Sequence, residues 1–219
     1  MQIDIRGVIV PNDDKPVYDW FGIEAVSPAD VRQALDASGL DPVDVYINSP
    51  GGDVSSGSEI YAQLQELGAR LRIHITGQAC SAASVIACAG YCDMARTAML
   101  MIHNVHSCAQ GDTHAMQHEA QVLATANRAI AAAYVAKTGK PEKELLKAMD
   151  TETWLTAQDA LEWGFIDAIA EPAGVQLAAA AGDMLAPDVV QRVRGMLAGD
   201  RARRTAQTRL NFLRLKNKI

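Results

Sequence analysis

At 219 residues, with 49% hydrophobic residues, the chain is long enough for one sizeable core and a small appendage. No run of about 18 apolar residues occurs, and the start, MQIDIRGVIV, alternates instead of setting an apolar run behind a basic one, so neither a membrane span nor a secretory signal is expected. The net charge of −6 is uneven: Arg201, Arg203, Arg204, Arg209, Arg214, Lys216 and Lys218 against Asp200 give residues 195–219 a net +6, which leaves −12 for an acidic body.

The alternating QIDIRGVIV reads as a first strand. In SPADVRQALDASG, Ser27 is placed as an N-cap, Pro28 at the first helical position, Asp30 in the first turn and Gly39 past the end, which punctuates a helix. VDVYINS is the next strand, and PGGD is expected to break it. VSSGSEIYAQLQELG follows as a helix with Ile60, Leu64 and Leu67 on one face. ARLRIHIT is a strand, TGQACSAASVIACAG a helix and AMLMIH a strand. Residues 112–138 form a long Ala-rich helix and PEKELLKAMD a short one. TAQDALEWG is capped by Thr156 with Asp159 three residues on and stops at Gly164, and FIDAIA is the last strand. Strands alternating with helices imply an α/β fold of βαβ units. The pattern fades at Ala173, so a core is expected over residues 1–172, followed by an Ala/Gly linker and basic tail over 173–219 that is helical or removed. No internal repeat is present. Cys80, Cys88, Cys92 and Cys108 lack paired CxxC spacing, so reduced thiols in a cytoplasmic protein are expected in place of disulfides or a zinc knuckle.

Three strand ends carry groups suited to chemistry, and strand ends are where sites gather in α/β proteins. In YINSPGGDV, Gly51 and Gly52 make a turn whose backbone N–H groups are free of Cβ obstruction and suit a developing negative charge. For the tripeptide alone a plain turn is the commoner outcome. In TGQACSAAS, Ser81 follows a Gly-containing turn at a helix start, as a nucleophile would, although Ser81 and Ser84 could equally serve close helix packing. In MLMIHNV, His103 ends an apolar strand, as a base at a sheet edge would. His114 and His118 stand i,i+4 but lack an HExxH arrangement and a third ligand, so they read as surface residues.

Taken together, YINSPGGDVSSGSEIYAQLQ, GQACSAASVIACAG, MIHNV and TWLTAQDALEWGFIDAI resemble the ordered blocks of the ClpP peptidase family over roughly residues 2–170, and more closely its phage-type branch of ClpP-like head maturation proteases. The resemblance implies a ClpP/crotonase-type spiral of βαβ units with serine peptide hydrolysis. It makes Ser81 the nucleophile, His103 the general base, and the Gly52 and Ala82 amides the oxyanion donors. The family's acid stands two residues before an aromatic. Here that aromatic is Trp154, so the acid is Glu152, where the housekeeping peptidases have Asp; Asp150 is the alternative acid.

The resemblance further implies protein or peptide substrates, among them capsid or scaffold proteins, and a homo-oligomer of heptameric rings enclosing the sites. Helix 112–138 would serve as the ring-to-ring handle. No metal or organic cofactor, membrane partner or nucleic acid at the core is implied. The chain begins almost at its first strand, without the family's axial segment, so an AAA+ unfoldase is not expected as a partner. Two other readings compete: a crotonase-class acyl-CoA enzyme, which also holds an oxyanion on backbone amides, and a non-catalytic ring-forming capsid or scaffold component.

Overall fold

The computed structural model describes residues 1–170. The expected boundary near residue 172 and the basic tail lie outside the described residues. The elements run β1 (Gln2–Ile9), α1 (Lys15–Phe21), β2 (Ala25–Val26), α2 (Pro28–Ser38), β3 (Val43–Gly52) and α3 (Val54–Gln65). A 3₁₀ turn (Gly68–Arg70) leads to β4 (Leu71–Cys80), α4 (Ala82–Ala87), β5 (Tyr91–Ala95) and β6 (Met99–Ile102). The chain continues with α5 (Thr113–Thr138), α6 (Glu142–Asp150), β7 (Thr153–Thr156), α7 (Ala157–Trp163) and β8 (Ala168–Ala170).

Local chemistry explains the helix starts. Ser27 and Asp30 form a reciprocal capping box at α2, with Pro28 behind the cap. Asp53 caps α3 by accepting from the Ser56 N–H at 2.7 Å. Thr156 and Asp159 repeat the capping box at α7, and Gly164 closes that helix at φ 83°.

The main sheet runs β2-β1-β3-β4-β5-β8, parallel at every step. Strand β4 is shared: Arg72–Ile75 pair with β5, while Gln78–Cys80 pair with β6. Strand β7 then adds antiparallel to β6. This is the mixed but mostly parallel α/β architecture expected. Ile3, Ile5, Val43, Val45, Ile47, Ile73, Ile75 and Met94 alternate into a core closed by helices, with Ile60, Leu64 and Ile86 among the fully buried side chains. The opposite face keeps polar side chains, and a row crosses three strands there. His74 Nδ1 lies 2.9 Å from Asp93, its Nε2 lies 3.3 Å from Asp44, and Tyr46 stacks on the ring. Among the described residues no helix is long and apolar enough to cross a membrane.

Several elements differ from the sequence expectation. Strand β3 continues through Ser49-Pro50-Gly51 and ends only at Gly52, directly before the Asp53 cap of α3. Strand β4 runs to Cys80, so the helix expected from residue 76 shortens to Ala82–Ala87. Its Ala-rich segment favours a helix locally, but Ala79 is fully buried between Ser49 of β3 and Leu100 of β6, and that pairing wins. The last strand begins at Ala168; Phe165 and Ile166 precede it as buried core residues. Strands β2, β5 and β7 and helix α1 carry no strong periodic signal and were not expected from the sequence.

Helix α3 meets α4 closely at one point. A Cβ placed on Gly57 would lie 2.8 Å from the Ala82 Cβ, which has no flexible end to move. Gly57→Ala should therefore destabilise the protein by about 1–3 kcal/mol in thermal or denaturant unfolding. Ala82→Gly in the same chain should restore part of the loss, and an unchanged melting point for Gly57→Ala would show that the two helices separate freely.

Candidate active site

The site is assembled where β3, β4 and β6 end. Ser81 occupies the single residue between β4 and α4 with φ 55° and ψ −125°, a conformation normally left to glycine. Its neighbours hold it there. The Ser81 N–H donates to the Met101 carbonyl at 2.9 Å, and the Ser81 carbonyl accepts from the Ser84 N–H at 2.9 Å and the Ser84 hydroxyl at 2.6 Å. Ser84 is itself fully buried and takes its second bond from the Tyr134 hydroxyl of α5 at 2.8 Å. Ser84 thus braces the turn, as a structural serine would.

Pairing of Cys80 with Met101 sets β6 level with the end of β4. His103, just past β6, then reaches Ser81: Nε2 to Oγ is 2.8 Å. The backbone beyond His103 is pinned to α5 by the Val105 N–H, which donates to Asn127 Oδ1 at 2.7 Å.

The two candidate acids are separated by their local structure. The antiparallel register ends at Ile102↔Thr153, so Glu152 and His103 each stand one residue beyond the ladder, Glu152 in a turn at φ 48°. Asp150 ends α6 and accepts from Asn104 Nδ2 at 2.7 Å. Glu152 Oε1 accepts from the indole N–H of Trp154 at 3.1 Å. Among the described residues neither carboxylate is hydrogen-bonded to His103, so the hydroxyl and imidazole are joined while the third partner stands near but unengaged. Ser81 and Glu152 are the two non-glycine residues with positive φ among the described residues, so backbone strain collects at this site.

The two amides expected to hold an oxyanion belong to Ala82 and Gly52. Ala82 is the first residue of α4, and a helix's first N–H groups have no partner within the helix. Gly52 ends β3, and the following Asp53 N–H donates to Ile9 of β1. The Gly51 N–H is already taken by Ser49 Oγ at 3.1 Å. Gly51 contributes space: a Cβ there would lie 2.6 Å from the Cys80 carbonyl oxygen and 2.7 Å from the Ser81 Cβ.

Burial lowers the pKa of His103 from its ordinary value of 6.5. The neighbouring His106 lowers it further, and the Glu152 charge acts in the opposite direction. The His106 ring stands edge-on to His103 with centroids 5.4 Å apart. The imidazole is therefore unprotonated and able to accept the Ser81 proton at neutral pH. Cys80, although adjacent to Ser81, is buried; desolvation holds its thiol in the neutral form, with a pKa of about 11. His114 and His118 are exposed on α5, and among the described residues no three His, Cys, Asp or Glu side chains converge as a metal site requires.

Sequence reasoning passed over Gly51, Asn104 and His106, and used Trp154 only to set the register. Gly51 was quoted with Gly52, but only its contact with Ser81 separates the two roles. The other three act through contacts that no sequence spacing announces.

A hydroxyl hydrogen-bonded to an imidazole thus lies where strands of a mostly parallel α/β sheet end. The family model described as Clp protease matches residues 33–173, and the chain belongs to the Clp protease family. It is 34% identical over 146 residues to the ATP-dependent Clp protease proteolytic subunit of Porphyromonas gingivalis (strain ATCC BAA-308 / W83), across 64% of this chain. The match spans 65% of the length of that relative.

The pKa displacement has a direct readout. In an NMR titration, His103 should protonate below the usual 6.5, because both burial and His106 favour the neutral ring. His106→Gln removes one of the two effects and should move that titration to higher pH. No movement would mean that His106 does not act on the base.

Proposed function

We propose that the chain is a serine endopeptidase that hydrolyses peptide bonds through an acyl-enzyme. The observation carrying this reading is the 2.8 Å Ser81–His103 contact, made from a serine held at φ 55°. A serine needed only for packing has no reason to occupy so costly a conformation, about 1–3 kcal/mol above an ordinary one.

In this mechanism His103 Nε2 takes the proton of Ser81 Oγ as Oγ attacks the scissile carbonyl. The Gly52 and Ala82 amides hold the oxyanion of the tetrahedral intermediate, and losing one such donor costs on the order of 100-fold in rate. His103 then protonates the leaving amine. Water, activated by the same imidazole, releases the acyl group. Glu152 orients the Nδ1–H of His103 and stabilises the imidazolium, a role supported by the action of its charge on His103, whereas Asp150 is bonded to Asn104.

Substrates are proteins or peptides. The phage-type sequence blocks favour capsid or scaffold precursors, processed in a phage or prophage head maturation step by rings of identical subunits, heptameric by analogy with the family, with the sites inside. Residues 173–219 are assigned to a separate basic element on charge alone. A gene neighbourhood without portal or capsid genes would count against the head maturation role. A crotonase-class enzyme would have no use for the hydrogen-bonded Ser–His pair, and a non-catalytic ring component would not react with an acylating probe.

Ser81→Ala should abolish labelling by a fluorophosphonate and all peptidase activity while leaving the fold intact. Ser84→Ala should stay active but lose about 1–3 kcal/mol of stability, because the buried Tyr134 hydroxyl is left without its partner. An active Ser81→Ala with a dead Ser84→Ala would refute the assignment of the nucleophile. Glu152→Gln should lower turnover by at least an order of magnitude with little change in stability, since the side chain is exposed, while Asp150→Asn should be mild. The reverse pattern transfers the role to Asp150. Sedimentation should report a multi-subunit particle, and an active monomer at all concentrations would remove the ring.

A further inference from the structure

The Glu152 side chain raises a problem of order. Its backbone is fixed: the Glu152 N–H donates to the Met149 carbonyl, and the Thr151 and Thr153 hydroxyls both donate to the Ala148 carbonyl, at 3.2 and 2.7 Å. The side chain beyond that backbone is exposed and has three rotatable bonds, one more than an aspartate at the same place. Left alone it would spread over many rotamers and meet His103 only part of the time. The indole N–H of Trp154 is the one hydrogen-bond partner of the Glu152 carboxylate among the described residues. Glu152 turns out of β7 at φ 48°, and the 3.1 Å bond is what brings the two side chains together. Trp154 is 49% exposed, so core packing is not the main reason for a tryptophan there.

We propose that Trp154 is a positioning residue for the acid: its indole N–H holds Glu152 by Oε1 and leaves Oε2 for the Nδ1–H of His103. The inference rests on the peptidase reading above and deepens it. The longer carboxylate is matched by a donor that removes its extra freedom. A phenylalanine would offer the same aromatic body without this donor. The opposing influence of the Glu152 charge on His103 is consistent with the carboxylate standing within reach of the ring.

The test uses the full chain with Trp154→Phe, Glu152→Gln and the double variant. Each is assayed for hydrolysis of one fluorogenic peptide from pH 5 to 9 and for the rate of fluorophosphonate labelling. Trp154→Phe should lower kcat about fivefold, the scale of one ordinary hydrogen bond at an exposed position, with KM unchanged. The acidic limb of kcat/KM should move to lower pH, because a wandering carboxylate supports the imidazolium less. In the Glu152→Gln background Trp154→Phe should have no further effect. Replacing Trp154 with 3-benzothienylalanine, which keeps the bicyclic shape and lacks the N–H, should reproduce Trp154→Phe; this covers the case in which the smaller ring disturbs folding. A labelled, active wild type with Trp154→Phe at wild-type kcat, a loss confined to KM, or a full additional loss in the Glu152→Gln background would overturn the positioning role alone. A wild type that neither labels nor cleaves would overturn the peptidase reading, and this inference with it.

Discussion

The approach of the β3 terminus to the β4–α4 junction sets the other distances at the site. At Gly51 the backbone of one strand passes so close to Cys80 and Ser81 that no side chain fits between them. That closeness brings the end of β3 alongside the residue from which α4 starts. It also requires small residues on both sides. Gly57 of α3 lies against Ala82 of α4, and Ala83 and Ala87 are buried along the same short helix. Larger side chains here would push α4 away and carry Ser81 out of reach of His103. Close-packed interiors do not yield a little everywhere; they hold or rearrange.

Strand pairing does the remaining alignment. Strand β4 is long enough to take β5 on its first half and β6 on its second, and the second pairing delivers His103 level with Ser81. Strand β7 returns antiparallel to β6, and Glu152 stands one residue before it. Ladder hydrogen bonds fix position along a strand to within one residue, because a slip of one turns every side chain to the opposite face. The hydroxyl and the imidazole come from separate segments, yet their relative heights follow from register alone. What register leaves open is the rotamer of the long acid.

Much of this was legible before any coordinate. The capped helices α2 and α7 and the alternating strands β1 and β3 read directly, because their signals are local. The glycine turn, serine and histidine singled out in the sequence lie where β3, β4 and β6 end, and the serine and histidine meet there. The stretch around Ala79 misled: alanine favours helix in isolation, and only burial between two neighbouring strands makes it extended. Strands β5 and β7, of five and four residues, owe their existence to partners far away in the chain. Asp150 and Glu152 differ in their partners, the amide of Asn104 for one and the indole of Trp154 for the other, and neither contact leaves a trace in spacing. His106 sits in irregular chain, and its closeness to His103 is purely a matter of three-dimensional path.

The left-handed turn at Ser81 sets the interests of the fold against those of the chemistry. Glycine occupies φ 55° and ψ −125° without strain, so a Ser81→Gly chain should melt at a higher temperature than its parent while doing nothing to a peptide. Any other side chain at this turn would bear the same strain, so the backbone gains nothing from having a serine there, and its hydroxyl must be valued for something other than folding.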